Sequence, residues 1–576
     1  MAKANRQKGE RRNEWTVMFY FASDNALSAL IVAQLKAIKD AGFQENTEVL
    51  IHFDPNEPGV PTRIFNVNVN RKNKGESKTV VGDGADPYVR DLIDDSIDPA
   101  DIDAAAGPGS KATKRMLSSA TSDSVSAPKA LENFLGYCRE NHRARHYLLF
   151  LVGHGMIVAN DKFLSDENPV SAISLKGLGG ILSRFSEKVR AQKDAFEMLA
   201  LHSCSMSAIE VAYQLKGTAN YLLASEGLSY VGSWPYRQLL RDAFNIIEDA
   251  NKKAKKKMKK AKTAQAVALE VGVQDLVSKI YDLSLCNTTD YAFSGYSLDL
   301  CLSQLAPDKF EAVKEKVPEL VTKLKEGLDD GRARQLILLA HLKSQSFWGE
   351  EYTDLKDFCH CLHDLCDDTG LQGRIKTACQ DVFDILESDP SNPFNKLIVF
   401  SDNFGWQYQY ARGLSIYFPW VEPVGQADEN LVVNYEQYAF NKDLGANSWA
   451  SFLKEYFVKT KRPVEDADAR PKLVGYDILK PGGSNRAGPG AGAGTAVALN
   501  SGLTAALNAG SLSKPTGAFE KPTAAFEKPT GASGADCGCP SIKNYPTAAI
   551  KVKGKKRRVT VRAFSCTKGA FKAFKD

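Results

Sequence analysis

Five short, almost uninterrupted apolar runs, separated by helix-patterned segments, restrict what this chain can fold into. The runs are TVMFYFAS (16–23), TEVLIHFD (47–54), HYLLFLV (146–152), FEMLALHS (196–203) and NYLLAS (220–225). Leu27, Leu30, Ile31, Leu35 and Ile38 recur at helical spacing after the first run, and Ala130, Leu131, Phe134, Leu135 and Cys138 do so before the third. Leu175, Leu178, Leu182 and Phe185 precede the fourth, and Ile209, Ala212, Tyr213 and Leu215 the fifth. A strand that is apolar on both faces must be covered on both, and helices linking parallel strands provide that cover. The pattern predicts an α/β fold with a mostly parallel sheet. In such sheets ligands bind beyond the carboxyl ends of the strands.

This block fills residues 15–250, behind a charged extension at 1–14, and carries a polar insertion rich in Asp, Gly and Ser at about 70–124. The run KKAKKKMKKAK, within 251–263, repels itself and reads as an exposed loop. A second α/β part, 264–464, has strand candidates YSLDLCL (296–302) and GLSIYF (413–418) around helical stretches from about 307 to 388. Residues 465–550 are low-complexity, with the repeats KPTGAFE and KPTAAFE, and read as a linker. The last segment, 551–576, is a basic tail with the pattern of a small hairpin.

Composition removes several classes. The net charge of +5 rests on eight lysines between Lys252 and Lys262, without which the balance turns to −3. The fold is therefore not uniformly basic, no aromatic residues interleave with the lysines, and nucleic acid is not an expected partner. The N-terminus shows no apolar signal region and no run reaches 18 apolar residues, so no membrane span is expected and a cytoplasmic location is. Eleven cysteines scattered over 576 residues do not form a disulfide framework. The useful question is which cysteine is reactive.

Two strand ends answer it. The third run ends in Gly153-His154-Gly155 and the fourth in His202-Ser203-Cys204-Ser205-Met206. On neighbouring strands these side chains meet at the sheet's rim, where an imidazole can take the proton of a thiol. The small residues Gly155 and Ser205 leave room for a substrate carbonyl, and the N–H groups of Gly155 and Cys204 are placed to stabilise an oxyanion. The His-to-Cys separation of about 50 residues is also that of caspases. CHCLHDLC (359–366) puts Cys359, His363 and Cys366 on one helix face, a zinc-like spacing, but its neighbourhood reads as a packed helix and no metal is expected.

The segments MFYFASDNALSALIVAQLKAI, ALENFLGYCRENHRARHYLLFLVGHG, LALHSCSMSAIEVAYQL, LLASEGLSYVGSWPY, YTDLKDF and GLSIYFP resemble the clostripain family of cysteine peptidases, in that family's order, over about residues 15–460. The resemblance implies a caspase-like α/β sandwich followed by a low-complexity tail, and makes 15–250 the catalytic domain. It implies a cysteine endopeptidase with Cys204 as nucleophile, His154 as general base, Gly155 and Cys204 at the oxyanion site, and protein or peptide substrates. Internal cleavage is common in the family. Lys252–Lys262 or another exposed loop is the expected place for it. Calcium is used by some members, but no acidic ligand loop stands out, and no cofactor is expected.

One departure bears on specificity. The family usually carries Asp two residues before the cysteine, near the pocket for Arg or Lys, whereas this chain has His202. That leaves basic specificity open. His202 either lines the pocket or is a hydrogen-bonded structural histidine. Ser233 and Trp234 belong to the substrate groove, or Trp234 is a core aromatic. Glu226 and Asp24 are candidates for the missing negative charge, unless Asp24 caps the first helix. The rival reading is a catalytically inactive scaffold that binds through the lysine run and repeat tail.

Overall fold

The computed structural model describes residues 13–42, 44, 46–54, 62–67, 88–90, 125–155, 161–167, 169–260, 272–293, 296–348, 350–422, 435–460, 547–552 and 555–560. They fall in two units that divide between residues 510 and 511. In chain order the strands of the first unit are β1 (Asn13–Phe21), β2 (Thr47–Phe53), β3 (Arg63–Asn66), β4 (Tyr88–Arg90), β5 (Ala144–Val152), β6 (Phe163–Glu167), β7 (Val170–Ile173) and β8 (Ala195–His202). They continue with β9 (Tyr221–Ala224), β10 (Leu298–Gln304), β11 (Ser346–Phe347), β12 (Tyr352–Asp354), β13 (Ile398–Phe404) and β14 (Ser415–Tyr417).

Nine of these form one sheet in the order β13, β10, β9, β8, β5, β1, β2, β3, β4. The five strands expected from the apolar runs are its parallel centre. Both faces are covered, as continuous apolar strands require. On one face, Trp15, Val17, Phe19 and Phe21 of β1 pack with Ile31 and Leu35 of α1 (Ser28–Lys39). Leu239, Phe244 and Ile247 join them from a later helix. On the other face, Met18 and Tyr20 pack with Leu131 and Phe134 of α2 (Ala127–Asn141), Leu178 and Leu182 of α3 (Leu175–Ala191) and Val211 of α4 (Ile209–Gln214). The result is a three-layer α/β sandwich.

Several expectations change. The lysine run is not a loop. It is the last part of α5 (Tyr236–Lys260), with Lys262 outside the described residues. The buried residues Leu239, Leu240, Ala243, Phe244 and Ile247 anchor the first turns of this helix. Lys, Ala and Met then propagate it, because they are good helix formers and positive charge is favoured at a helix C-terminus. Lys252 also pairs with Glu248 at 2.7 Å. Inside the polar stretch 70–124, Tyr88–Arg90 is an edge strand of the main sheet. The second α/β part contributes to the same sheet: β10 pairs antiparallel with β9, and β13, unexpected from the pattern, pairs antiparallel with β10. The GLSIYF strand lies instead in a three-stranded sheet, β11, β12 and β14.

The helices expected over 307–388 are α6 (Glu311–Asp329), α7 (Gly331–Lys343), α8 (Leu355–Leu365) and α9 (Gly370–Leu386). No described helix is long and apolar enough to cross a membrane. In the second unit the described residues form a hairpin of two antiparallel strands, Thr547–Val552 and Lys555–Thr560, and the repeat segment lies outside the described residues.

Candidate active site

The parallel register makes the site. Val152 of β5 pairs with His202 of β8, so Gly153-His154-Gly155 and Ser203-Cys204-Ser205 leave adjacent strands side by side at the carboxyl rim. Their approach is as close as backbones allow: a Cβ added to Gly155 would lie 1.8 Å from Cys204 O and 2.8 Å from Cys204 N. Only glycine fits there. Ser205 takes a positive φ of 56°, turning the chain back, and donates its N–H to Gly227 O at 2.9 Å.

Cys204 is half-buried. Its Sγ accepts the N–H of Ser229 at 3.4 Å and lies 3.5 Å from Ser229 O. Burial pushes the thiol up from its ordinary value, against the Ser229 N–H, which favours the thiolate. His154 is also half-buried, and burial lowers its pKa against the opposing pull of Glu167. The two shifts favour the neutral thiol and the neutral imidazole, the state in which an imidazole can act as a base.

His202 is buried. Its Nδ1 pairs with the Tyr236 hydroxyl, and its Nε2 lies 2.7 Å from Tyr230 O and 3.2 Å from Ser233 Oγ. Its ring stacks on Trp234 at 4.3 Å with planes 4° apart. None of these partners is anionic, and burial holds the imidazole neutral, its pKa lowered to about 3. Ser233 and Trp234 are buried with it, and Ser233 Oγ donates to Tyr230 O at 2.7 Å. The three therefore form one neutral, hydrogen-bonded and stacked cluster at the end of β8, with Trp234 part of the core cluster.

Glu226 is elsewhere. It is a wholly buried residue of the loop after β9, and Gly413 N–H donates to its Oε2 at 2.8 Å. Burial, then the charges of Asp354 and Asp299, push its carboxyl well above the usual range, and it shares a hydrogen bond with Asp354. It does not present a negative charge to a pocket. Asp24 is buried at the end of β1, beside a small cavity that Asp54, Ser165 and Asp166 also line. In the turn before α1, Asn25 Oδ1 accepts Leu27 N–H at 2.9 Å.

Sequence reasoning passed over Asp299 and Asp354, though YTDLKDF contains the latter. Asp299 accepts the N–H groups of Glu226 at 2.6 Å and Gly227 at 2.9 Å, fixing the loop that meets Cys204. Asp354 accepts Asp357 N–H at 2.7 Å and Arg412 N–H at 2.5 Å. Burial raises Asp299 to about 7 and Asp354 to about 6. Carboxylates filled by backbone donors and a shared proton do not fit a calcium ion, which takes six to eight free oxygen ligands. Among the described residues no group of three or more His, Cys, Asp or Glu side chains could hold a metal. Cys359 faces Cys379, and His363 hydrogen-bonds Asp364 at 3.1 Å, so the zinc-like spacing does not close into a site.

A profile of the clostripain family matches residues 19–378. A comparison with curated proteins finds no match. Among solved structures, the chain is similar to an inactive zymogen C11 protease from Parabacteroides distasonis, at 17% identity over 75% of this chain and 98% of that one, with a TM-score of 0.41. It is also similar to a secreted C11 cysteine protease from Bacteroides thetaiotaomicron in complex with an irreversible peptide inhibitor, at 13% identity over 76% and 100%, again with a TM-score of 0.41.

Proposed function

The chain belongs to the clostripain family, cysteine peptidases that act on peptide substrates, and from that premise we propose that Cys204 and His154 form its catalytic dyad and that it cuts beside neutral side chains. The observation that carries this reading is the fit of Gly155 against the Cys204 backbone, which holds a histidine and a thiol on abutting strand ends.

In this reading His154 takes the thiol proton as Cys204 Sγ bonds to the scissile carbonyl carbon. The N–H groups of Gly155 and Cys204 receive the developing oxyanion. The proton passes from His154 to the leaving amine, and water then hydrolyses the thioester with His154 again as base. No step runs through a metal. The preference for a neutral side chain is supported by the buried, neutral His202 cluster, which offers no counter-charge to Arg or Lys.

The test is a fluorogenic peptide library varied at the residue before the scissile bond. Cys204→Ala is expected to abolish cleavage with the fold intact. His154→Ala is expected to lower turnover by about 10² to 10⁴, the usual contribution of a general base. Full activity in Cys204→Ala would reject the dyad. An inert wild-type chain whose Cys204 also resists alkylation would favour the scaffold reading. Denaturing gels of the same samples test self-cleavage within Lys252–Lys262 or in another segment.

A further inference from the structure

One aromatic pair at the rim is used by nothing described so far. Among the described residues the exposed aromatic side chains of large area are Trp406, 71% exposed, and Tyr410, 52% exposed. They stand on one loop, WQYQY (406–410), which follows β13. Single exposed apolar residues are ordinary. Two aromatics held on one loop at the rim that carries Cys204 are not.

The sheet puts this loop at the same rim as Cys204. The strand β10 runs antiparallel to β9, and β13 antiparallel to β10, so β13 runs with β8 and its carboxyl end faces the same way. Tyr408, the buried member of the loop, closes the link. Its hydroxyl accepts Leu228 N–H at 3.3 Å, and a Cβ on Gly227 would lie 2.4 Å from its ring. Gly227 in turn receives the Ser205 N–H, and Ser229 touches Cys204 Sγ.

The loop is also rigid. Gln345 grips it twice, donating from Nε2 to Gln407 O at 2.7 Å and accepting Tyr410 N–H on Oε1 at 3.2 Å. Gln407 N–H donates to Ser297 Oγ at 3.0 Å, and Asn403 Nδ2 to Ala411 O at 3.1 Å. Exposed aromatics fixed in this way lose little entropy when they bind a partner.

We infer that Trp406 and Tyr410 form a substrate subsite that takes an apolar side chain of an extended peptide about four residues from the scissile bond. The spacing follows from geometry. Three strand intervals of about 4.8 Å separate β8 from β13, and an extended peptide advances about 3.3 Å per residue, so about 14 Å spans four residues. The inference rests on Cys204 as the reacting group.

The experiment uses the full chain and internally quenched peptides of ten residues with one constant centre. The fourth residue on either side of the scissile bond is varied between Phe or Leu and Ser. The wild type is expected to favour the apolar residue on one side by about tenfold in kcat/KM, the size of an interfacial aromatic contact. Trp406→Ala/Tyr410→Ala is expected to lose that ratio, while Val458→Ser, an exposed apolar residue on a distant helix, keeps it. The alkylation rate of Cys204 by iodoacetamide checks that the double variant is folded at the site.

A second readout does not need catalysis. Adding the Phe peptide to Cys204→Ala is expected to change tryptophan fluorescence, and the change is expected to vanish in Cys204→Ala/Trp406→Phe. An apolar preference that survives in the double variant, or a fluorescence change that survives without Trp406, overturns the subsite. Cys204-dependent hydrolysis without any Trp406 signal also overturns the subsite and leaves the dyad standing. A Trp406 signal in a chain that cleaves nothing removes the dyad and overturns the reading of the pair as a substrate subsite, leaving a site that binds apolar peptides.

Discussion

One methyl group added at Gly155 should cost this protein far more activity than stability. The new Cβ would sit 1.8 Å from Cys204 O, 2.7 Å from its carbonyl carbon and 2.8 Å from its nitrogen. An ordinary contact is about 3.4 Å, so the two strand ends would have to part by about 1.6 Å. None of the three is a side-chain atom that can rotate away; all are backbone. Gly155 and His154 lie just past the end of β5 and are half-buried, so the chain can move outward without opening the core. The stability loss from such overpacking is about 1–3 kcal/mol. A displacement of more than about 1 Å between nucleophile and base lowers the rate by about 10²-fold. Urea unfolding and kcat/KM on one peptide measure the two effects together. Gly136→Ala is the control, since nothing lies within 4 Å of its Cβ position in α2, and it is expected to stabilise by about 0.5–1 kcal/mol. If Gly155→Ala keeps kcat/KM within about threefold of wild type, the abutting strand ends are not what holds the dyad.

The buried carboxyls give a pH prediction. Glu226, Asp299 and Asp354 titrate above their unfolded values, so the native state holds protons that the unfolded chain releases, and their contribution is greatest below about pH 4 and is lost as pH rises toward 7. Glu226→Gln keeps both hydrogen bonds, with its oxygen on Gly413 N–H and its amide donating to Asp354, and should gain stability relative to wild type between pH 5 and pH 8 in urea titrations. A gap that stays flat or narrows with pH would mean that Glu226 is ionised in the fold. At the His202 cluster, His202→Asp removes the stack on Trp234 and buries a carboxyl, so we expect a loss of several kcal/mol together with at least a tenfold gain in cleavage after Arg relative to neutral residues. Equal cleavage after Arg and neutral residues in the wild type would show that His202 does not set the preference.

The parts legible in the chain are those set by local periodicity. Continuous apolar runs and 3.6-residue stripes state which faces are buried, and β1, β2, β5, β8 and β9 appear within a few residues of where those patterns put them. That the strand ends carrying His154 and Cys204 lie side by side was legible because both residues come within two positions of the end of such a run, and a strand's end is known once the strand is. The lysine run misled for a related reason: charge repulsion is local, but the helix it extends is nucleated by apolar residues before it. IVFSDNF, half polar, gave no strand signal, because only its pairing with β10 at the sheet's edge makes it one.

Sequence alone therefore determined the α/β class, the family and the two strand ends that meet. Tertiary structure decided what surrounds them. His202 became a neutral, stacked and hydrogen-bonded buried histidine because Tyr230, Ser233, Trp234 and Tyr236 fold back over it from 28 to 34 residues away. Glu226 became a buried, proton-sharing acid because Asp354 and Gly413 reach it from the far end of the unit. Trp406 and Tyr410 came to the rim because β13 enters the sheet two strands beyond β9. A residue's type and its neighbours in sequence fix its own burial pattern, but the field and the partners it meets are set by chain segments that local pattern cannot see.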